Sequence, residues 1–415
     1  MSETEKFRIA IIGSGPIGKL LISSVASHPR VAYSIYEQDT LPLRPSFGYG
    51  VGPQTLISTL RLNPVLGKEL LRQCITGPVW MNFHHGGIED KALPTIEVPE
   101  GQLYGRIGRE ELLDLLDSFR PKDCEPIQYG KTLKSVTKVS GELKLEFADG
   151  AEERANALWG CDGMNSLCRK LIQGPEHKSA KYSGMVVFRG KVPYQKVSEA
   201  VGERFATETY MFIGVKGWHV LIFPIAGGKF VNIAAFAEEA IHKKRGRTYK
   251  TSTEELLTYF SGSNATVQSL LRILNDQPDG CVCLELMAME KLGKFYNEDL
   301  CMTSFGDAAN GMLPHIAGSM STGFIGTTTF LHDELNPRFQ ALSPSASNDE
   351  IAKTLMEASA SYQAKHQPLA QKLADYSVEQ GSVFAGGVLD VDKLSMRSRF
   401  LWQAAGLQTL ELLVE

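Results

Sequence analysis

The clearest chemical signal lies near the start of the chain. Gly13-Ser14-Gly15-Pro16-Ile17-Gly18 directly follows the apolar run Arg8-Ile9-Ala10-Ile11-Ile12 and opens a segment of helical character. Glu37 ends the next apolar run, at the offset of about 20 residues at which an acidic side chain reaches a ribose in dinucleotide-binding units. Each residue type has a physical reason. Gly13 permits the tight turn, Gly15 lets backbone approach a pyrophosphate, Gly18 allows close helix-to-sheet packing, and the helix N-terminus offers free N–H groups and positive potential. Pro16 fits the first helical turn, where its missing N–H would have had no partner. A carboxylate at position 37 favours an unphosphorylated 2′-hydroxyl, as in FAD or NAD. His219 and His315 are of a type that moves protons near neutral pH, and Tyr210 is a weaker acid–base candidate. The competing reading of each is a hydrogen-bonded structural residue.

The elements that would position these groups follow from periodicity. Residues 8 to 37 form a complete βαβ opening: strand, glycine turn, a helix to about Ser27, then the strand Val31–Tyr36. A helix is expected after Gly108-Arg109, with Leu112, Leu113, Leu115 and Leu116 on one broad face. Thr132 to Phe147 and roughly 182 to 236 are β-rich. The second stretch carries the strands Met185–Phe188, Trp218–Phe223 and Phe230–Ile233, with a Gly227-Gly228 hairpin between the last two, and implies a mixed or antiparallel sheet. Beyond residue 346 the spacing is helical. At 415 residues, 43% hydrophobic and 22% charged, the chain has room for two or three domains. Lys+Arg 43 against Asp+Glu 47 leaves a net charge of −4 and no basic block, so nucleic acid is not an expected partner. No window is long and apolar enough for a transmembrane segment, the polar start Met1–Lys6 is unlike a targeting peptide, and the seven cysteines lack framework spacing. A cytoplasmic protein is the expectation. Cys281-x-Cys283 has no nearby His, so no metal site is expected there.

Two further segments join the first, Trp159-Gly160-Cys161-Asp162-Gly163-Met164-Asn165-Ser166-Leu167-Cys168-Arg169 and Phe305-Gly306-Asp307-Ala308-Ala309-Asn310-Gly311-Met312-Leu313-Pro314-His315. In this order they resemble the three flavin motifs of the group A flavoprotein monooxygenases, the para-hydroxybenzoate, salicylate and dihydroxypyridine hydroxylase class. Phe47-Gly48-Tyr49-Gly50-Val51, Gly108-Arg109-x-x-Leu112, Phe188-Arg189-Gly190 and Phe223-Pro224-Ile225 are similar to further family segments, so the likeness runs over most of the chain. It implies an α/β fold: a Rossmann-like FAD-binding domain with an inserted mixed or antiparallel β-sheet substrate domain and C-terminal helices. The expected division is 1–175 with 284–345 for FAD, 176–283 for substrate, and 346–415 helical.

The resemblance implies FAD held by Gly13, Gly15, Pro16, Ile17, Gly18 and Glu37 at the AMP end. It places Arg109 beside the diphosphate and ribityl chain, Asp307 on a ribityl hydroxyl, Asp162 in a supporting role, and the Gly318-Ser319 helix start toward the flavin's pyrimidine edge. NAD(P)H would be a transient co-substrate without its own glycine fingerprint. The implied reaction transfers one oxygen atom from a flavin C4a-hydroperoxide, formed with O2, to an electron-rich aromatic or alkene-containing metabolite. Arg189 is the first catalytic candidate, with His219, Tyr210 and His315 behind it. Met185, Val187, Tyr210, Phe212, Leu221 and Phe223 are expected to wall the substrate. The chain departs from the pattern at Asn310, where many relatives have His, and along Gly318–Gly323. Ile222 stands where salicylate-type enzymes have a His, and Pro314-His315 resembles the dihydroxypyridine branch. The missing base at 222 points toward a bulkier aromatic or polycyclic substrate. A flavin oxidase and a non-catalytic FAD-fold ligand sensor are the alternatives, and a homodimer is a possible assembly.

Overall fold

The computed structural model describes residues 6–40, 47–87, 91–122, 124–177, 179–244, 249–278, 281–386 and 389–403. Its first unit is a five-stranded sheet in the order β18-β19-β11-β1-β2, made of β1 (Phe7–Ile12), β2 (Val31–Tyr36), β11 (Ala157–Gly160), β18 (Tyr296–Asn297) and β19 (Met302–Ser304). All neighbours are parallel except the β18 edge. Such a sheet is buried on both faces, and the residues of β1 divide accordingly. Phe7, Ile9 and Ile11 pack with Leu21 and Ile22 of α1 (Pro16–Ser24), which ends three residues before the expected Ser27. Ala10 and Ile12 pack under a small antiparallel sheet of β8 (Leu133–Val139), β9 (Glu142–Phe147) and β10 (Glu152–Ala155). Each fully buried Ile or Leu here contributes about 1.5–3 kcal/mol.

A second small sheet, β3 (Gly48–Val51), β7 (Tyr104–Gly108) and β4 (Ile75–Gly77), packs on α2 (Pro53–Leu62), α3 (Pro64–Gln73) and α4 (Arg109–Ser118). In α4 the leucines Leu112, Leu115 and Leu116 are buried as their spacing requires.

The large sheet has eight strands in the order β16-β17-β12-β15-β14-β13-β5-β6. These are β5 (Val79–His85), β6 (Ala92–Glu97), β12 (Lys181–Pro193), β13 (Tyr210–Ile213), β14 (Trp218–Ile225), β15 (Phe230–Glu238), β16 (Tyr249–Lys250) and β17 (Val282–Ala288). All pairings are antiparallel except β13 with β5, so the sheet is mixed. The β14–β15 hairpin turns through Ala226, Gly227 and Gly228, all at positive φ. Its sequence boundaries differ from expectation: Val79–Glu97, assigned above to the FAD part, forms two of its strands, and β17 runs past residue 283.

The outer face of this sheet is apolar. Val186, Phe188, Val220, Ile222, Val231, Ile233 and Ala235 pack against α6 (Tyr194–Val201), α7 (Glu203–Thr207), α8 (Thr253–Tyr259) and α9 (Ala265–Asn275). The inner face looks onto the small β3–β7–β4 sheet and α4, because Gly48 N–H of β3 donates to Asn232 Oδ1 at 2.9 Å and Lys191 pairs with Glu110 of α4. The chain then runs through α5 (Leu167–Gln173), α10 (Asp307–Asn310) and α11 (Ser319–Thr328), a wide π-helical segment over Thr329–Leu335, and α12 (Asn336–Ala341). A 38-residue helix, α13 (Asn348–Ala385), starts at a reciprocal Ser347–Glu350 capping box. Its first half buries Ile351, Leu355 and Tyr362 against the five-stranded sheet, and Leu373 and Phe384 reach the inner side of the large one. It is followed by α14 (Val391–Gln403).

Candidate active site

The glycine turn is built as its composition requires. Gly13 sits at φ +103°, and a Cβ there would collide with the carbonyl of Cys161; a Cβ at Gly18 would collide with the carbonyl of Gly13. Gly15 differs: its φ of −67° and ψ of −175° suit any residue, and a Cβ would meet nothing within 4 Å. The space in front of Gly15 is therefore open, and the α1 N-terminus behind it carries no side-chain cap. Glu37 is held over the turn, accepting from Ser14 N–H at 2.8 Å and Ser14 Oγ at 3.0 Å. Pro16 occupies the first turn. Ile17 is a packing wedge, since Cβ atoms added at Gly306 or Gly323 would lie 2.7 Å from its side chain. An open glycine, an uncapped helix end and an anchored carboxylate fit the AMP half of FAD.

The other two motifs converge on this turn. Asp162 accepts from Ser166 Oγ at 2.5 Å and from Cys168 N–H at 3.0 Å, which makes it a brace for the start of α5. Arg169, buried at 2% exposure, extends the brace: its guanidinium donates to the carbonyls of Met164, Asp307 and Ala308 at 2.5, 3.2 and 3.1 Å. It welds the second motif to the third. Asp307 lies in the first turn of α10, where desolvation pushes its carboxyl above the usual range and the Ser319 bond opposes that shift. Ser319 Oγ donates to Asp307 Oδ1 at 2.5 Å, and the other carboxylate oxygen takes no hydrogen bond from the described residues. Gly318 is the N-cap of α11, whose N-terminus also lacks a side-chain cap. Ala317 just before it is held at φ +52°. A sugar hydroxyl at Asp307 and an electron-rich edge at the α11 N-terminus would meet the donors and acceptors left open here.

Arg189 and Arg109 share one aromatic ring. The Arg189 guanidinium lies 3.9 Å from the Phe47 ring centroid and that of Arg109 lies 5.7 Å from it, while Arg109 N–H donates to the Phe47 carbonyl. The Arg189 Nε is enclosed without a hydrogen-bond partner. Burial, with the Arg109 charge adding to it and Tyr49 opposing it, pushes the guanidinium down to about 10. A half-buried cation with no carboxylate paired to it among the described residues calls for an anionic or electron-rich partner.

The strand register sets the rest of the wall. Arg189, Ala234 and Leu221 form one rung of the inner face, and Val187, Phe236 and His219 form the next. Met185 joins this face, with the partly buried Leu284 and Leu286 at its rim. Phe223 points the same way, since a Cβ at Gly48 would meet its ring at 2.8 Å. His219 is 1% exposed and stacks on Phe236, with centroids 4.6 Å apart and planes 13° apart. His315, 4% exposed, meets it edge-on at 5.4 Å, and Phe384 closes the box. All four ring nitrogens lack hydrogen-bond partners. Desolvation holds His219 well below the usual histidine range, with His315 adding to the effect, and pushes His315 down to about 4.

Two expectations change. Tyr210 and Phe212 pack with Phe205 on the outer face, and the Tyr210 hydroxyl donates to Glu208, so neither belongs to the inner wall. Ile222 also faces outward, so its lack of an imidazole says nothing about a base; His219, three residues earlier, takes the inward parity. Sequence reasoning passed over Arg169 and Phe47, although both lie within motifs quoted for other residues.

A dinucleotide-binding βαβ unit braced to an aspartate-bearing turn, and roofed by a large mixed sheet, defines a flavin-dependent hydroxylase fold. It matches salicylate hydroxylase in a substrate complex with a TM-score of 0.74 at 21% identity over 98% of both chains. Klebsiella pneumoniae HpxO complexed with FAD and uric acid matches at 0.72 and 18% identity, over 96% of this chain and 93% of that one. No protein-family model matches the sequence. The FAD-dependent monooxygenase pigN of Monascus ruber is 30% identical over 334 residues, covering 77% of this chain and 75% of the relative. A salicylate hydroxylase of Pseudomonas putida is 26% identical over 337 residues, covering 76% and 74%. The chain belongs to the FAD-dependent monooxygenases, with FAD as its cofactor. Among the described residues no helix is long and apolar enough to cross a membrane.

Proposed function

We propose that the enzyme uses NAD(P)H and O2 to insert one oxygen atom into an electron-rich aromatic or alkene-containing small metabolite, releasing the second atom as water. The observation carrying this reading is the inner sheet face, where Arg189 and His219 stand among the apolar side chains Met185, Val187, Leu221 and Phe236, beside the rung whose Lys191 and Asn232 contact Glu110 and Gly48. Bound FAD would supply the redox chemistry, taking a hydride equivalent and activating O2. The chain's own residues do the rest. Gly13, Gly15, Gly18 and Glu37 hold the AMP half, Asp307 the ribityl chain, and the α11 N-terminus at Gly318-Ser319 favours negative charge at the ring edge. Arg109 assists at the diphosphate. Met185, Val187, Leu221 and Phe236 exclude water, which protects the oxygen-transferring state from unproductive decay. Arg189 donates toward developing negative charge. His219, neutral at pH 7, can accept a hydrogen bond from a phenolic hydroxyl, raising electron density at the carbon to be oxidised.

The division into a FAD-binding part and a substrate sheet is part of this proposal, with Val79–Glu97 moved to the sheet, as are the cytoplasmic location and the possible homodimer. The test mixes purified holoenzyme with NADH or NADPH and candidate aromatic compounds, following flavin bleaching, O2 uptake and product mass. Substrate-stimulated bleaching with product gaining one oxygen atom is expected, and Arg189→Ala should keep FAD but divert reducing equivalents to H2O2. NAD(P)H-independent turnover would favour the oxidase alternative, and absence of all turnover the ligand sensor.

A further inference from the structure

The inner face of the large sheet is covered unevenly. Across β13 and β5 its side chains, Met211, Ile213, Met81 and Phe83, are buried in one cluster with Leu373 and Phe384 of α13. Across β12 and β17 the inward residues Met185 and Val187 are joined by Leu284 and Leu286, which are only partly buried, as is Leu221 of β14. On the outer side of these two strands Val186, Phe188 and Cys283 are closed in with Leu256 of α8 and Leu271 of α9. The surface that the leucines keep open therefore lies on the inner side, toward which they point.

Strand register gives this open surface a length. Arg189, whose guanidinium stacks on Phe47, pairs with Val282 and Ala234; Val187 pairs with Leu284 and Phe236; Met185 pairs with Glu238, and Leu286 stands next after the Val186–Glu285 pair. Successive rungs are about 7 Å apart, so the path from Arg189 to Met185 is about 13 Å. The character of the wall changes along that path. Ala234, flanked by Arg189 and Leu221, is the smallest inward side chain of the three strands and leaves a dip at the first rung. The next two rungs present only apolar side chains on β12 and β17, and the exposed Glu238 marks where solvent begins.

Resting on the monooxygenase reading above, we infer that the substrate is a ring carrying an apolar arm, and that Leu284 and Leu286 set the length of arm the enzyme accommodates. The ring sits in the Ala234 dip beside Arg189, and the arm runs over Val187 and Leu284 to Met185 and Leu286. Covering these side chains removes apolar surface from water and dries the flank of a reaction that water would spoil. A ring seated at Ala234 leaves about 10 Å before the Glu238 rim, the reach of a heptyl arm.

The probes are resorcinols bearing methyl, propyl, pentyl, heptyl and undecyl arms, titrated into the oxidised holoenzyme and followed by perturbation of the flavin spectrum, without turnover. From propyl to heptyl the Kd should fall about two- to four-fold per methylene, the yield of burying each one, and it should level off once the arm passes the rim. Leu286→Trp fills the far rung, so it should weaken the heptyl and undecyl compounds by about ten-fold and leave the methyl and propyl compounds within about two-fold. Arg189→Ala acts at the ring end and should weaken all five by one common factor. The wild-type series tests the inference without any variant. A Kd independent of arm length, a fall that continues undiminished through undecyl, or no spectral response to the heptyl compound would overturn it. Equal weakening of every homologue by Leu286→Trp would do the same. The monooxygenase reading is decided apart from these titrations, and fails if the FAD-loaded enzyme shows no NAD(P)H-dependent O2 uptake with any aromatic compound.

Discussion

Replacing Gly15 with valine separates cofactor binding from folding, because Gly15 is the glycine of the turn whose side-chain space is empty. Its φ and ψ lie in the extended region that valine prefers, and the added Cβ finds no protein atom within 4 Å. The cost to the ligand-free fold is that of a poorer N-cap, about 1 kcal/mol or less. The cost to FAD is much larger. The branched side chain fills the space in which a pyrophosphate must approach the α1 N-terminus. Two charge-assisted hydrogen bonds and part of the helix-end potential are lost, about 4–6 kcal/mol together. That corresponds to three to four decades of affinity. Gly18→Ala is the control with the opposite signature: its methyl group meets the Gly13 carbonyl, so it should lower stability by about 1–3 kcal/mol. Flavin absorbance per protein, FAD titration followed by fluorescence, and thermal melts of the FAD-stripped proteins distinguish the two. A yellow, stoichiometrically loaded Gly15→Val protein would refute the cofactor placement. An unfolded one, with Gly18→Ala intact, would refute the packing argument.

Three further outcomes are expected. Arg169→Met strands the carbonyls of Met164, Asp307 and Ala308 and should cost about 3 kcal/mol or more while loosening FAD retention, so an unchanged melting temperature would remove its role as a weld. Ala317→Gly should gain about 1 kcal/mol, because glycine holds the left-handed φ of +52° without strain, and a lower melting temperature would contradict this. His315 and His366 are both pushed down to about 4 by burial, below the value of about 6.5 in the unfolded chain. Stability is therefore full above pH 6.5 and lost as the pH falls toward 4, where the unfolded state takes up protons that the fold excludes. Each residue contributes about 3 kcal/mol to that loss. Melting temperatures measured from pH 7.5 to 4.5 should fall steeply below 6.5, and His366→Phe should flatten the curve.

What the sequence disclosed was local. The Gly13–Gly18 turn, the Glu37 offset, the Gly227-Gly228 hairpin and the leucine face of α4 each rest on a few neighbouring residues whose conformational demands leave one solution. Face assignment in the large sheet is not legible, because strands covered on both sides carry apolar residues on both faces and parity alone does not say which side is which. That is why Tyr210 and Phe212 were read as inward and Ile222 as a vacant catalytic position. The partnership of β5 with β13 joins residues far apart in the chain and left no local mark. Arg169 was visible as a residue of the second motif, but its three carbonyl acceptors come into reach only once two distant loops meet.

The two-part origin of the eight-stranded sheet bears on how enzymes of this shape exchange specificity. A graft that moved only Lys181–Ala288 into a relative would bring β13 without the β5–β6 pair that covers its free edge. The recipient's own Val79–Glu97 counterpart would have to zip onto a foreign strand, or else the bare edge would recruit another molecule. Chimeras meant to transfer ligand preference should accordingly carry both stretches, with four crossover points rather than two.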